Sequence, residues 1–147
     1  MRPEVRVLST DFLPQNEWDD FIWSGRQTLK IFKGEGSISY RLLTDVYLDP
    51  GTYTFTVNVY PDLVESYTTG GGKVWASDEL SGEIRFIVGG ETTAWKLPEF
   101  GRKNTIRHTF EVTAPGTVRV GVGIRGRWAI ANNGWFLDDW SLRRIDG

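Results

Sequence analysis

The stretch NNGWFLDDWSLR, residues 132–143, decides the fold that this sequence predicts. Asn-Gly takes the positive φ angles of tight reversals, so residues 132–134 predict a turn that leads into a strand. Strand side chains alternate between two faces, and one face would carry Phe136, Asp138, Trp140 and Leu142. Because the other members of this set are large and apolar, we expect the face to lie against the core.

Asp138 is the exception on that apolar face. An ionised carboxylate that faces a core is unfavourable by several kcal/mol unless it is paired, hydrogen-bonded or bound to a cation. Two interpretations follow. In the first, Asp138 accepts backbone N–H groups at the rim of the strand; in the second, it binds a structural Ca²⁺.

The rest of the chain reads as a series of short strands separated by turns. The clearest is TYTFTVNVY, residues 52–60, whose strict alternation indicates one buried and one solvated face. An aromatic content of 14% with 17 glycines also favours β-structure over helix. The predicted strands are 4–10, 27–33, 37–48, 52–60, 83–88, 105–113, 117–125 and the closing strand. Residues 61–82 are expected to form a long connection.

We therefore predict an all-β fold: a single domain over residues 1–147, built as a two-sheet antiparallel β-sandwich of the jelly-roll type with about eight main strands. The usual jelly-roll pairing would place the first, third, sixth and eighth strands in one sheet. The second, fourth, fifth and seventh strands would form the other sheet.

That pairing predicts one polar surface, on which Gly121 and Gly123 would clear space for a ligand. Hydrogen-bonding groups and loop aromatics around a shallow trough are typical of a sugar-binding site. The predicted ligand-binding residues are Asn58, Tyr60, Trp75, Glu83, Arg85, Arg119, Arg125 and Trp128. The alternative is a plain sheet face on which Glu83 pairs with an arginine, with Trp75, Trp95 and Trp128 packed as lids.

Three stretches together resemble the jelly-roll carbohydrate-binding modules of bacterial glycoside hydrolases and cell-surface proteins. They are DVYLDPGTYTFTVNVYPD (45–62), the strands around Pro115-Gly116, and NGWFLDDWSLR (133–143). The resemblance implies non-catalytic binding of a polysaccharide or cell-surface glycan, at an extracellular or cell-surface location as part of a larger protein. It also implies a structural Ca²⁺ held by Asp138 and Asp139 with N-terminal ligands, for which the nearest stretches are Asp11-Phe12 and Asn16-Glu17-Trp18.

Other functions are disfavoured by the sequence. A net charge of −2 disfavours a broad nucleic-acid surface, no apolar run is long enough for a membrane span, and the absence of cysteine excludes disulfides. The N-terminus lacks the apolar segment of a signal peptide, so we expect an excised domain or a protein with no secretion signal of its own. The single histidine, His108, is expected on an apolar face, and no catalytic motif occurs, so we expect no enzyme activity. The alternative function is a structural or assembly domain of a surface layer, fibre or virion.

Overall fold

The computed structural model describes residues 4–9, 15 and 27–145. Eight strands occur in this part of the chain, with one 3-10 helix, Glu79–Ser81, between the fourth and fifth. They are β1 (Glu4–Ser9), β2 (Gln27–Leu48), β3 (Gly51–Tyr67), β4 (Lys73–Trp75), β5 (Glu83–Val88), β6 (Glu91–Thr92), β7 (Asn104–Val112) and β8 (Gly116–Arg144).

Two long strands, β2 and β8, pair with each other along most of their length and contribute to both layers of a sandwich. In sheet I, residues 38–48 of β2 pair with residues 116–126 of β8, which pair with β5; β6 lies at the edge. In sheet II, the order is β1, residues 27–36 of β2, residues 130–144 of β8, and β3. On the side of β3 away from β8, β7 pairs with the first half of β3 and β4 pairs with the end of β3. All pairs are antiparallel, which confirms the predicted fold class.

The core fills the space between the two sheets, and strand alternation explains its composition. Val57 and Val59 of β3 point inward with no exposed surface, opposite Val122 of β8, also fully buried. The buried face predicted for residues 52–60 is confirmed, because Tyr53 and Phe55 are buried as well. Burying each such side chain contributes about 1.5–3 kcal/mol, which holds the layers together.

The predicted jelly-roll pairing is wrong. Residues 27–33 and 37–48 were predicted as two strands but form the single strand β2. Residues 117–125 and 133–143 were likewise predicted as two strands but form the single strand β8. Each of these long strands bends through both sheets and keeps the same neighbour in each. Residues 27–33, the second predicted strand, therefore lie beside the closing strand and not beside residues 117–125, the seventh. Residues 52–60, the fourth predicted strand, lie in sheet II, and residues 83–88, the fifth, lie in sheet I.

The predicted face of the closing strand is also wrong, because β8 contains a bulge. Thr56 pairs with Ser141 but Asn58 pairs with Asp138, so β8 has one residue more than β3 between these pairs. An extra residue reverses the alternation. Asp138 therefore lies on the outer face opposite Asn58, whereas Trp140 beyond the bulge packs against the core as predicted.

Residues 61–82 and 126–134 contain more strand structure than the sequence predicts. Strand β3 continues to Tyr67 and returns as β4, so the long connection is mainly a hairpin. Residues 132–134 do not form the predicted turn, because β8 runs through them. Asn132 is held in the strand by donating from Nδ2 to the carbonyl oxygen of Asp62 at 3.0 Å.

Candidate functional site

The outer face of sheet I carries a dense group of arginines. Alternation places them here, because Val120, Val122 and Ile124 between them point into the core. Arg41 of β2 and Arg85 of β5 both pair with Gly123 of β8, one on each side. We call this surface the arginine face and define it by Arg41, Asp45, Glu83, Arg85, Trp95, Arg119, Arg125 and Arg127.

Trp95 is the aromatic centre of the arginine face. The hydrogen-bonded bridge between Ile84 and Lys96 sets the segment around Trp95 alongside β5, so the half-buried indole lies next to Arg85. The Cζ atoms of Arg85 and Arg125 lie 4.3 and 4.1 Å from the ring centroid. Guanidinium groups over an indole are attracted by the ring quadrupole, so both arginines are held in defined positions.

Two carboxylates on the face are occupied by ion pairs. The buried Glu83 accepts from Nε and Nη2 of Arg125 at 3.0 and 3.4 Å, and Arg127 approaches it at 3.7 Å. Asp45 accepts from Arg119 at 2.9 and 3.2 Å, and this hydrogen bond lowers the pKa of Asp45 below its ordinary value. The alternative interpretation, in which Glu83 pairs with an arginine, therefore describes this part of the face.

The two glycines do not clear an open trough. A Cβ on Gly121 would lie 2.9 Å from both the carbonyl carbon of Leu42 and the Cα of Leu43, so backbone already fills that space. A Cβ on Gly123 would meet Arg85 Cγ at 3.5 Å and Nε at 3.6 Å. The side chain of Arg85 therefore lies against Gly123, and the predicted empty trough is a surface covered by arginine.

The predicted ligand-binding residues are divided between two faces of the sandwich. Glu83, Arg85, Arg119 and Arg125 lie together on the arginine face. Asn58 and Tyr60 lie on the outer face of sheet II, where Tyr60 is buried against Trp75 and Phe136 with centroids 6.3 and 6.4 Å away. Trp128, 47% exposed, lies in β8 between the portions that belong to the two sheets. The prediction of a single shared surface is therefore wrong.

The predicted binding residues do not include four residues of the arginine face, Arg41, Asp45, Trp95 and Arg127, or the neighbouring Tyr47. Arg41 lies in the middle of β2 at an outward position, a placement that strand alternation could have given once β2 was paired with β8. Tyr47, 66% exposed, lies further along the same outer side of β2. The sequence could have indicated Tyr47, because it is an aromatic residue at an outward position between Val46 and Leu48.

A cleft of about 420 Å³ opens at the edge of the sandwich, where β5 and β6 face β7. It is lined by rings that stack on one another: His108 lies 5.7 Å from Phe86 and 6.1 Å from Phe110. Burial there, followed by repulsion from Lys96, lowers the pKa of His108, so the ring is neutral near pH 7. The inward, packed position predicted for His108 is confirmed, and its ring faces are occupied by neighbouring rings.

A polar groove of about 510 Å³ lies on the outer face of sheet II. Two of its lining side chains hydrogen-bond to each other, with Thr105 Oγ1 donating to Asn58 Oδ1 at 2.7 Å. The ring of Trp140, which also contributes to the groove, packs edge-on against Phe55 in the core. The groove therefore combines polar groups with little aromatic surface.

The described side chains do not by themselves make a calcium site. No group of three or more His, Cys, Asp or Glu side chains able to hold a metal occurs among them. Asp138 is half-buried on the outer face, so the argument from a carboxylate in the core does not apply. The side chain of Asp139 and the N-terminal candidates Asp11, Asn16 and Glu17 lie outside the described residues.

Comparison with solved structures shows that this chain has the fold of β-sandwich carbohydrate-binding modules. It aligns with TmCBM61, solved in complex with β-1,4-galactotriose, at a TM-score of 0.61 and 17% identity, over 96% of this chain and 88% of the module. It aligns with a CBM4 structure at a TM-score of 0.51 and 16% identity, over 80% of this chain and 84% of that one. No protein-family model and no curated protein matches the sequence. Across the described residues, no helix is both long and apolar enough to span a membrane.

Proposed function

We propose that this protein is a non-catalytic carbohydrate-binding module that holds a polysaccharide or cell-surface glycan on the arginine face. The observation that carries the proposal is the group formed by Trp95, Arg85 and Arg125, in which two guanidinium groups are positioned over one indole. The fold shared with solved carbohydrate-binding modules supports the same function.

The chemistry of this group suits a sugar. Guanidinium N–H groups donate paired hydrogen bonds to neighbouring oxygens. Because two guanidinium groups occupy the ring of Trp95, flat apolar surface for the C–H groups of a pyranose ring comes from the exposed Tyr47 and Trp128. Because Glu83 and Asp45 hold Arg125 and Arg119 in place, little side-chain entropy is lost when a ligand binds. The face continues towards Tyr47 at one end and Trp128 at the other, which favours an extended chain. A polysaccharide ligand in turn favours an extracellular or cell-surface location as part of a larger protein.

Affinity electrophoresis tests the proposal in gels that contain β-glucan, xylan, mannan, galactan, peptidoglycan or acidic polysaccharides. We expect retardation in at least one gel and a loss of about tenfold in affinity for Trp95→Ala, equivalent to about 1.4 kcal/mol. Tyr67→Ala is the control, because Tyr67 is exposed at the end of β3 in sheet II and should not change binding. Melting curves confirm that each variant is folded. No retardation in any gel would reject carbohydrate binding.

The alternative is assembly with other protein through the same face, favoured by the exposure of Tyr47 and Leu43, 66% and 37%. Sedimentation velocity separates the two functions. A stable oligomer that Arg85→Ala disrupts would favour assembly, and a monomer that binds glycan would favour the module.

A further inference from the structure

We propose that the ligand of the arginine face is an acidic glycan, recognised through its sugar carboxylate or sulfate groups. The inference rests on the proposed function and adds the chemical class of the ligand. The structural basis is a pair of arginines, Arg41 and Arg85, that lie on either side of Gly123.

Neither of these two arginines has a carboxylate partner among the described side chains, unlike their neighbours on the face. Arg119 and Arg125 are each held by an acid, at 2.9 and 3.0 Å. The Nε of Arg85 is buried without a hydrogen-bond partner, although its guanidinium is fixed over Trp95. That Nε is shielded from solvent, whereas Arg85 as a whole is only half-buried, so an anion would contact the terminal Nη groups of this guanidinium in charge-assisted hydrogen bonds.

The two arginines lie on the strands at either side of Gly123. Arg41 and Arg85 are separated by one strand, which puts their backbones roughly 9.5 Å apart across the sheet. Gly123 between them carries no side chain, and the space above it is lined by Arg85. A planar carboxylate or a sulfate on the solvent side of Arg85 would thus have Arg41 on the strand at the other side of Gly123.

The net charge of the arginine face also favours an anionic ligand. Five arginines and two carboxylates lie on it, a surplus of three positive charges, on a chain whose net charge is −2. The arginine face is therefore locally positive on a chain that is negative overall. Such a local field attracts anionic chains and raises their association rate.

The test uses matched pairs of polymers that differ only in charge. Polygalacturonate is compared with its carboxyl-reduced form, and a sulfated carrageenan with its desulfated form, by isothermal titration at 50 and 500 mM NaCl. We expect at least tenfold tighter binding to one acidic member than to its neutral form, and weaker binding at the higher salt because the ions screen the contact. The carboxylate and sulfate pairs identify which anionic group is recognised.

Variants then locate the contact. Arg85→Gln and Arg41→Gln should each weaken binding of the acidic polymer about tenfold, since each removes a charge-assisted contact. Arg107→Gln and Arg143→Gln, which remove arginines from the polar groove of sheet II, are the matched controls and should bind normally. Arg41→Gln should keep its melting temperature, because the structure gives Arg41 no ion pair within the described part of the chain. Arg85→Gln also removes the contact with Trp95, so its melting curve must show that it is folded before its affinity is compared.

The remaining outcomes reject the inference in distinguishable ways. Equal binding to the acidic and neutral members of each pair would reject an acidic ligand and leave the proposed function intact. No binding to any polymer would reject both. Equal binding to polyglutamate or single-stranded DNA would show a general affinity for polyanions, and loss of binding in the Arg107 and Arg143 variants alone would assign the ligand to the other sheet.

Discussion

At the scale of single residues, two glycines two positions apart in β8 have different roles. Gly121 is required because the backbone of β2 passes where a side chain would be, whereas Gly123 leaves room that Arg85 only contacts. A sequence pattern treats both glycines alike, since it contains no information about the strand that lies beside them.

We expect Gly121→Ala to lower the free energy of unfolding by about 2 kcal/mol or more, because its Cβ cannot fit without moving β2. Gly123→Ala is the matched variant and should change stability by less than about 1 kcal/mol, since its contacts at 3.5 and 3.6 Å are ordinary. Urea unfolding measures both. Equal effects of the two substitutions would contradict the close approach at Gly121.

His108 makes stability depend on pH. Its pKa in the folded protein is lowered from 6.5, first by burial and then by repulsion from Lys96, so the unfolded chain binds the proton more readily. Stability is therefore greatest above about pH 6.5 and decreases as the pH falls through the lowered pKa. We expect a lower melting temperature at pH 5.5 than at pH 7.5.

His108→Phe is the control for this pH effect, because it keeps an aromatic ring in the stack with Phe86 and Phe110 and removes the proton. The difference in melting temperature between pH 7.5 and pH 5.5 should become smaller in this variant. An unchanged difference would assign the pH dependence to carboxylates elsewhere.

At the scale of elements, the continuity of β8 between the two sheets depends on a buried polar contact. Asp62 of β3 is 5% exposed; its carboxylate accepts from Lys73 Nζ at 2.8 Å and from Asn132 Nδ2 at 3.1 Å. These bonds join β3 and β4 to β8 at the place where the sequence predicted a turn. Paired polar groups can be buried in such a region because each donor has an acceptor.

We expect Asp62→Ala to lower the free energy of unfolding by about 1–3 kcal/mol, because the donors of Lys73 and Asn132 lose their acceptor. Asp45→Ala is the comparison: its ion pair with Arg119 is solvent-exposed, and such pairs contribute little. Chemical denaturation of both variants tests the difference. A loss for Asp45→Ala as large as that for Asp62→Ala would contradict the structural role of the buried contact.

At the scale of the whole molecule, the two outer faces of the sandwich differ in chemistry. Sheet I carries the arginine face with Trp95, whereas sheet II carries a groove of threonines and serine with Arg107 and Arg143. Sheet II also places lysines beside rings, with Lys30 Nζ 4.4 Å from Phe32 and Lys73 Nζ 5.5 Å from Trp75, whereas sheet I places two guanidinium groups over one indole. The predicted combination of Tyr60 and Arg125 in one site cannot occur, since they lie on different sheets.

The calcium site stays a prediction that concerns the whole domain, because its proposed ligands come from both ends of the chain. If Asp138 and Asp139 bind Ca²⁺ with the N-terminal segment, EDTA should lower the melting temperature and added Ca²⁺ should restore it. Asp138→Asn should abolish the response to EDTA. Identical melting curves with and without EDTA would reject the site.

The sequence by itself determined the positions of most strands, the sandwich class and the inward side of β3, because alternation is a local property of period two. It also indicated Arg85, Arg119 and Arg125 as outward residues of a common surface. Only the tertiary structure decided that β2 and β8 bend through both sheets, and that a bulge turns Asp138 outward. The physical reason is that pairing partners and register depend on contacts between residues far apart in the chain, and one extra residue exchanges the two faces of a strand.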